Sequence, residues 1–115
     1  MKIPIRIPDA VYGLEQLANR ATQERLWLSD GTSGEVSSYD EVIYKIFGNS
    51  GVRRSLERDE LPPDLTILFS RLNRLLKKIP QDIAPLEIMD HPLMKDVKQV
   101  SMDLLSKLCE FEAAE

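Results

Sequence analysis

The sequence predicts an all-α, or nearly all-α, fold: a compact bundle of three long helices and one or two short ones, preceded by an extended N-terminal arm. Apolar side chains recur at the helical spacing of three and four residues over most of the 115-residue chain. Several of these segments begin or end with residues typical of helix caps. Segments in which apolar and polar residues strictly alternate are scarce, which disfavours a sheet of several strands.

Length and composition indicate one helical domain that spans residues 1–115. A chain of this size can bury one substantial core. Hydrophobic residues make up 43% and charged residues 30% of the chain, which is typical of a folded protein. The one cysteine, Cys109, excludes an intramolecular disulfide, and no apolar run is typical of a signal peptide or a membrane span. We therefore expect a cytoplasmic protein.

Residues 1–8 are predicted to form an extended arm, because alternate positions are apolar and two prolines exclude a place inside a sheet. Asp9 is expected to cap a first helix that runs to about residue 23. Trp27 follows and is interpreted as a core residue. If it were exposed, it would instead be a binding hot spot.

The middle of the chain carries the clearest helix boundaries. Ser38 and Glu41 have the spacing of a capping box, and Gly48 fits the left-handed position that ends a helix. A short helix is expected over residues 51–56. The strongest apolar periodicity in the chain predicts a long helix over residues 63–79.

The C-terminal part is predicted to hold one more long helix. Pro80 ends the preceding helix, and a proline-rich connection over residues 80–92 includes a turn of helix near residues 86–89. The last helix starts at the end of this connection and runs to about Phe111. Residues 112–115 are expected to fray.

Residues typical of catalysis or cofactor binding are scarce. The single histidine, His91, is interpreted as a helix-start residue that touches solvent, and Cys109 as an inert thiol. The glycines and arginines of residues 48–54 could bind phosphate ahead of a helix, but they lack the Walker spacing and lysine, so a plain turn between helices is favoured. We expect no enzyme activity, no catalytic residue, no cofactor and no metal site.

An uneven distribution of charge supplies the candidate binding surface. Residues 30–41 contain four acidic side chains and residues 82–90 contain three, and neither segment contains a lysine or arginine. If these segments lie close together, they form a negative patch that attracts a basic partner; the alternative is an ordinary solvated surface. The candidate partner-binding residues are Trp27, Asp30, Glu35, Tyr39, Asp40, Glu41, Asp82, Glu87 and Asp90.

A basic stretch over residues 53–78 is the alternative surface, with seven of the fifteen cations. Arg71, Arg74 and Lys78 share one face of the predicted helix and could contact phosphates. Acidic neighbours and the net charge of −4 disfavour nucleic acid as the partner. Nothing favours a small-molecule ligand or a membrane.

The segments RLWLSD at 25–30, EVSSY at 35–39, IF at 46–47 and LFSRLNRLL at 68–76 resemble small helical proteins of bacteria. The overall form is similar to bacterial toxin-immunity proteins, which are short, acidic, cytosolic and without catalytic residues. The resemblance implies that the chain binds a cognate toxin domain, often a basic nuclease, and blocks its active site. The alternatives are a small regulatory or scaffold subunit that self-associates or docks on an endogenous protein, and a nucleic-acid binder that uses residues 53–78.

Overall fold

The computed structural model describes residues 3–28 and 37–113, and within those ranges the chain is helical with no β-strand. The predicted all-α class and its three long helices, α1, α5 and α7, are confirmed. The α-helices are α1 (Ile7–Ala18), α2 (Arg20–Trp27), α3 (Tyr39–Ile43), α4 (Val52–Glu57), α5 (Pro63–Lys77), α6 (Pro85–Met89) and α7 (Met94–Ala113), and a π-helix (Tyr44–Asn49) continues α3.

The N-terminal arm is shorter than predicted. Helix α1 begins at Ile7, and the predicted cap at Asp9 is wrong because Asp9 already lies in the first turn. Pro8 occupies a first-turn position, where its missing N–H costs no hydrogen bond. The Arg6 amide donates to the carbonyl of Ser50 at 2.8 Å, and Ile3 is buried, so the arm lies on the core.

The predicted first helix is two helices, because Asn19 adopts an extended conformation (φ −134°, ψ 108°). Its side chain then caps α2 by accepting a hydrogen bond from the Thr22 amide at 3.0 Å. An asparagine cap satisfies one of the free amides at a helix start, which stabilises the break. Helix α2 continues to Trp27.

The start of α3 follows the prediction, and its end does not. The Ser38 hydroxyl accepts a hydrogen bond from the Glu41 amide at 3.2 Å, as expected for this cap. Gly48 does not end the helix in a left-handed conformation; it lies inside the π-helix. The left-handed residue is Gly51, with φ 89°, which allows the tight turn into α4.

The later helices keep to the predicted order. Helix α5 ends at Lys77, two residues before the predicted end, and the predicted turn of helix in the connection is α6. Helix α7 begins at Met94 and is helical to Ala113, so the predicted tail of residues 112–115 begins inside the helix, and its fraying stays a prediction. Residues 114–115 lie outside the described residues.

The core joins all the helices. Helix α7 packs against α1 and α5, and α1 also packs against the π-helix. Gly13 lies in the contact between α1 and the π-helix, because a Cβ added there would lie 2.5 Å from Cγ1 of Ile46. The largest fully buried apolar side chains are Phe47, Phe69, Leu14, Leu17, Ile46, Leu65, Leu72, Ile79, Leu104, Leu108 and Val42.

Candidate functional site

Two of the predicted binding residues belong to the core. Trp27 is 5% exposed and donates from Nε1 to the Gln16 side-chain oxygen at 2.9 Å. Tyr39 is 3% exposed, and its hydroxyl donates to the Leu76 carbonyl at 2.9 Å. Their rings meet edge to face, with centroids 6.1 Å apart. Trp27 is a core residue, as interpreted from the sequence, and neither ring has the exposure that a role as a binding anchor requires.

The buried position of Tyr39 also changes its acidity. Burial raises the pKa of Tyr39 well above its ordinary value of 10, and the neighbouring Asp40 carboxylate adds to the rise. Both effects disfavour the charged phenolate. The hydroxyl is therefore a hydrogen-bond donor at neutral pH and supports α5 rather than a ligand.

The acidic side chains differ in their availability to a partner. Asp40, Glu41, Asp82 and Glu87 are exposed, and in residues 3–28 and 37–113 no lysine or arginine lies within 4 Å of their carboxylates. Asp30 and Glu35 lie outside the described residues.

Asp90 is exposed too, but it is already paired. Its carboxylate accepts a hydrogen bond from Arg20 at 2.7 Å, and Arg20 also contacts Glu24 at 3.2 Å. These bonds, the one to Asp90 first, raise the pKa of Arg20. Because one guanidinium offsets the charge of Asp90, this residue adds less to a negative patch than its unpaired neighbours.

Two of the acidic segments meet at a small groove, which we call the acidic groove. It has a volume of about 90 Å³ and lies between the end of α2, the start of α3 and the connection into α6. Asp40 lines the groove from one side. In the sequence, Asp82 lies between the lining residues Gln81 and Ile83, and Glu87 directly precedes the lining residue Ile88. The lining residues are Trp27, Ser38, Tyr39, Asp40, Gln81, Ile83, Pro85 and Ile88.

The chain on either side of residues 29–36 also adjoins the acidic groove. The Ser37 amide donates to the Leu26 carbonyl at 3.1 Å, and the neighbouring residues Trp27 and Ser38 both line the groove. The described residues that flank the undescribed segment on both sides therefore lie near this groove.

Glu41 faces a different cleft, which sequence reasoning missed. This cleft has a volume of about 530 Å³ and is also lined by Tyr12, Tyr44 and Lys45. Tyr12 is 49% and Tyr44 63% exposed, and the Lys45 ammonium lies 5.9 Å from the centre of the Tyr12 ring. The sequence held one sign of this cleft: each tyrosine lies beside the apolar stripe of its helix, a position from which the side chain can reach the surface.

A second missed feature is a basic cleft, which we call the arm cleft. It has a volume of about 680 Å³ and lies between the N-terminal arm, the end of the π-helix and α4. Arg6, Arg53 and Arg54 all line it. The glycine-containing turn at residues 48–54, interpreted as a plain connection, forms part of its wall.

His91 and Cys109 lie outside the groove and the two clefts. His91 accepts a hydrogen bond from the Leu93 amide at 3.1 Å, which fits its predicted place at a helix start, and Cys109 is an exposed free thiol. No group of three or more possible metal ligands occurs in the described part of the chain, and none of the helices there is long and apolar enough to span a membrane. Comparison with protein-family models, with curated proteins and with solved structures finds no match to this chain.

Proposed function

We propose that the protein is a protein-binding module that uses the acidic groove, and that its role is that of an immunity protein which binds and blocks a cognate toxin domain. The observation that carries this proposal is the meeting of Asp40 with the segment that holds Asp82 and Glu87 at one groove. These exposed carboxylates have no cation within 4 Å in the described ranges. Unpaired charges of one sign attract an oppositely charged partner and speed its association.

The proposed mechanism is steric and electrostatic. The carboxylates take the place of nucleic-acid phosphates in the basic groove of a nuclease toxin and leave no room for its substrate. Leu28 and Leu86, which are 48% and 49% exposed, supply the apolar contacts that the buried Trp27 cannot. Interfaces commonly combine such apolar contacts with a polar rim. A cytoplasmic location, where the toxin acts, belongs to the same proposal.

Toxicity rescue tests the role directly. The product of the gene immediately upstream is expressed in bacteria with and without this protein, and growth is followed. We expect the neighbour to stop growth alone, and this chain to restore growth and to form a tight one-to-one complex. A harmless neighbour, or one that still kills in the presence of this chain, would contradict the immunity role.

A charge-neutralised variant tests the surface. We expect Asp40→Asn, Asp82→Asn and Glu87→Gln together to slow association with the toxin about ten-fold at low salt and to weaken its salt dependence. The matched control neutralises three other exposed acids that have no ion pair with another described residue: Glu15→Gln, Asp96→Asn and Asp103→Asn. Equal effects of the two variants in stopped-flow measurements would show that net charge, and not this groove, matters.

A small docking or scaffold subunit is the second candidate, and the cleft of Tyr12 and Tyr44 favours it. Exposed tyrosines are enriched at the energetic centres of protein interfaces. Sedimentation velocity over a range of concentrations tests self-association. A dimer that Tyr44→Ser abolishes, in a chain that protects from no toxin, would favour this candidate over the first.

A further inference from the structure

The arm cleft has walls that are held in place by hydrogen bonds between distant parts of the chain. The Arg6 amide donates to the Ser50 carbonyl at 2.8 Å, and the Ser55 hydroxyl donates to the Pro4 carbonyl at 3.3 Å. Because these bonds tie the arm to both sides of the turn into α4, the cleft exists before a ligand binds. Its volume of about 680 Å³ is typical of a small-molecule site. The apolar wall consists of Ile3, Ile5 and Phe47.

The charge of the arm cleft is opposite to that of the whole chain. Arg6, Arg53, Arg54 and Glu57 line it, which leaves a net charge of plus two in a chain of net charge −4. In the described part of the chain, no carboxylate lies within 4 Å of these three guanidinium groups. Arginine binds phosphate through two parallel hydrogen bonds, so three unpaired arginines at one cleft favour a phosphate ligand.

The left-handed turn at Gly51 helps to place one of these arginines. A Cβ added to Gly51 would lie 3.6 Å from Nη2 of Arg54 and 3.8 Å from the Pro4 carbonyl oxygen. The Arg54 guanidinium therefore lies over the turn and next to the arm. Its position is set by the fold and not by an ion pair.

Tyr44 adds an aromatic surface to the same cleft. Its ring is 63% exposed, yet it packs against Gly48, where an added Cβ would lie 2.9 Å from the ring carbon Cδ2. Only glycine leaves room for the ring in this position. The residue lies in the π-helix, and such local changes of helix type often mark functional sites. An exposed ring that packs against the backbone on one side can stack on a planar group of a ligand.

We propose that the arm cleft binds a nucleoside monophosphate: a small ligand that joins a phosphate monoester to a planar base. A phosphate monoester carries a charge of about −1.5 to −2 at neutral pH, which balances the cleft. The three arginines bind the phosphate, and Tyr44 contacts the base. This site shares no lining residue with the acidic groove, so it is independent of the proposed immunity role.

An NMR titration of the full chain tests the proposal. The amide signals of Gly48 and Gly51 are followed while AMP, inorganic phosphate or adenosine is added. We expect AMP to shift both signals and to bind at least ten-fold more tightly than phosphate or adenosine, because only AMP engages the arginines and the tyrosine together. Absence of a shift at millimolar AMP overturns the proposal.

Two variants and a control identify the groups that bind. Arg53→Gln with Arg54→Gln should weaken AMP binding at least ten-fold, and Tyr44→Leu should weaken AMP binding several-fold while it leaves phosphate binding unchanged. The control, Arg71→Gln with Arg74→Gln, removes two exposed charges of α5 and should leave AMP binding unchanged. All substituted residues are exposed, and circular dichroism checks that each variant folds.

Other outcomes would assign the cleft differently. AMP binding that depends on Arg71 and Arg74, but not on Arg53 and Arg54, overturns the proposed location. If an oligoglutamate peptide shifts the Gly48 and Gly51 signals and AMP does not, the proposal of a nucleotide ligand is overturned, and an acidic protein segment is the ligand instead.

Discussion

Gly13 is a residue of α1 that packs against Ile46 of the π-helix. It is buried, and a Cβ there would also lie 3.2 Å from the Val42 carbonyl oxygen. The sequence alone indicates only that glycine weakens α1. The structure supplies the reason for its presence, because the Ile46 side chain occupies the space that a Cβ at residue 13 would need.

Gly13→Ala is therefore expected to destabilise the protein, although alanine improves helix propensity by about 1 kcal/mol. Overpacking against Ile46 should cost about 1 to 3 kcal/mol, measured by urea denaturation. The same substitution should cost less in an Ile46→Ala background, where the clashing side chain is gone. A stabilised single variant would show that α1 and the π-helix move apart easily.

Tyr39 predicts how stability depends on alkaline pH. Because its pKa is raised in the folded state, its contribution is fully present below the unfolded value of 10 and is lost as the pH rises above it. We expect the free energy of unfolding to fall more steeply above pH 10 in the wild type than in Tyr39→Phe. At pH 7 this variant should lose about 1 kcal/mol, because the hydrogen bond to Leu76 is absent. Parallel pH profiles would contradict this role.

Among the helices, α7 contributes one continuous face to the core and one to solvent. Leu104 is 0% exposed, whereas Met102 on the same helix is 48% exposed. Leu104→Ala should destabilise the protein by about 2 to 5 kcal/mol, because it removes a packed side chain and leaves a cavity. Met102→Ala is the matched control and should change stability by less than about 0.5 kcal/mol. Thermal denaturation followed by circular dichroism would compare the two.

The order of the long helices could be predicted from sequence, because apolar periodicity and proline positions determine it, but the number of helices could not. The break at Asn19 was missed because the apolar stripe continues across it; Asn19 itself, a residue type that commonly caps helices, was the available signal. The π-helix was missed for a different reason. Its residues have the composition of an ordinary α-helix, so no local pattern distinguishes the two types of helix.

For the molecule as a whole, one shared core predicts one cooperative unit. Calorimetric unfolding of the full chain should give equal calorimetric and van't Hoff enthalpies, of about 80 kcal/mol near 60 °C. A calorimetric enthalpy clearly larger than the van't Hoff enthalpy would indicate that part of the chain unfolds separately. That result would contradict the predicted single domain of residues 1–115.

The surface could be predicted only in part. The exposure of Asp40, Asp82 and Glu87 follows from their charge, but the burial of Tyr39 depends on its hydrogen bond to α5. The arm cleft joins Arg6 to Arg53, which are far apart in the sequence and meet only because the arm packs over α4. Such long-range contacts leave no local pattern.

The position of Trp27 provides an intrinsic fluorescence probe for the acidic groove. The indole is the sole tryptophan, is buried, and lines the acidic groove but not the arm cleft. Its fluorescence should therefore respond when a protein covers the groove and stay constant when a nucleotide enters the cleft. A change in the wavelength or intensity of its emission would thus report binding at the acidic groove and not binding at the arm cleft.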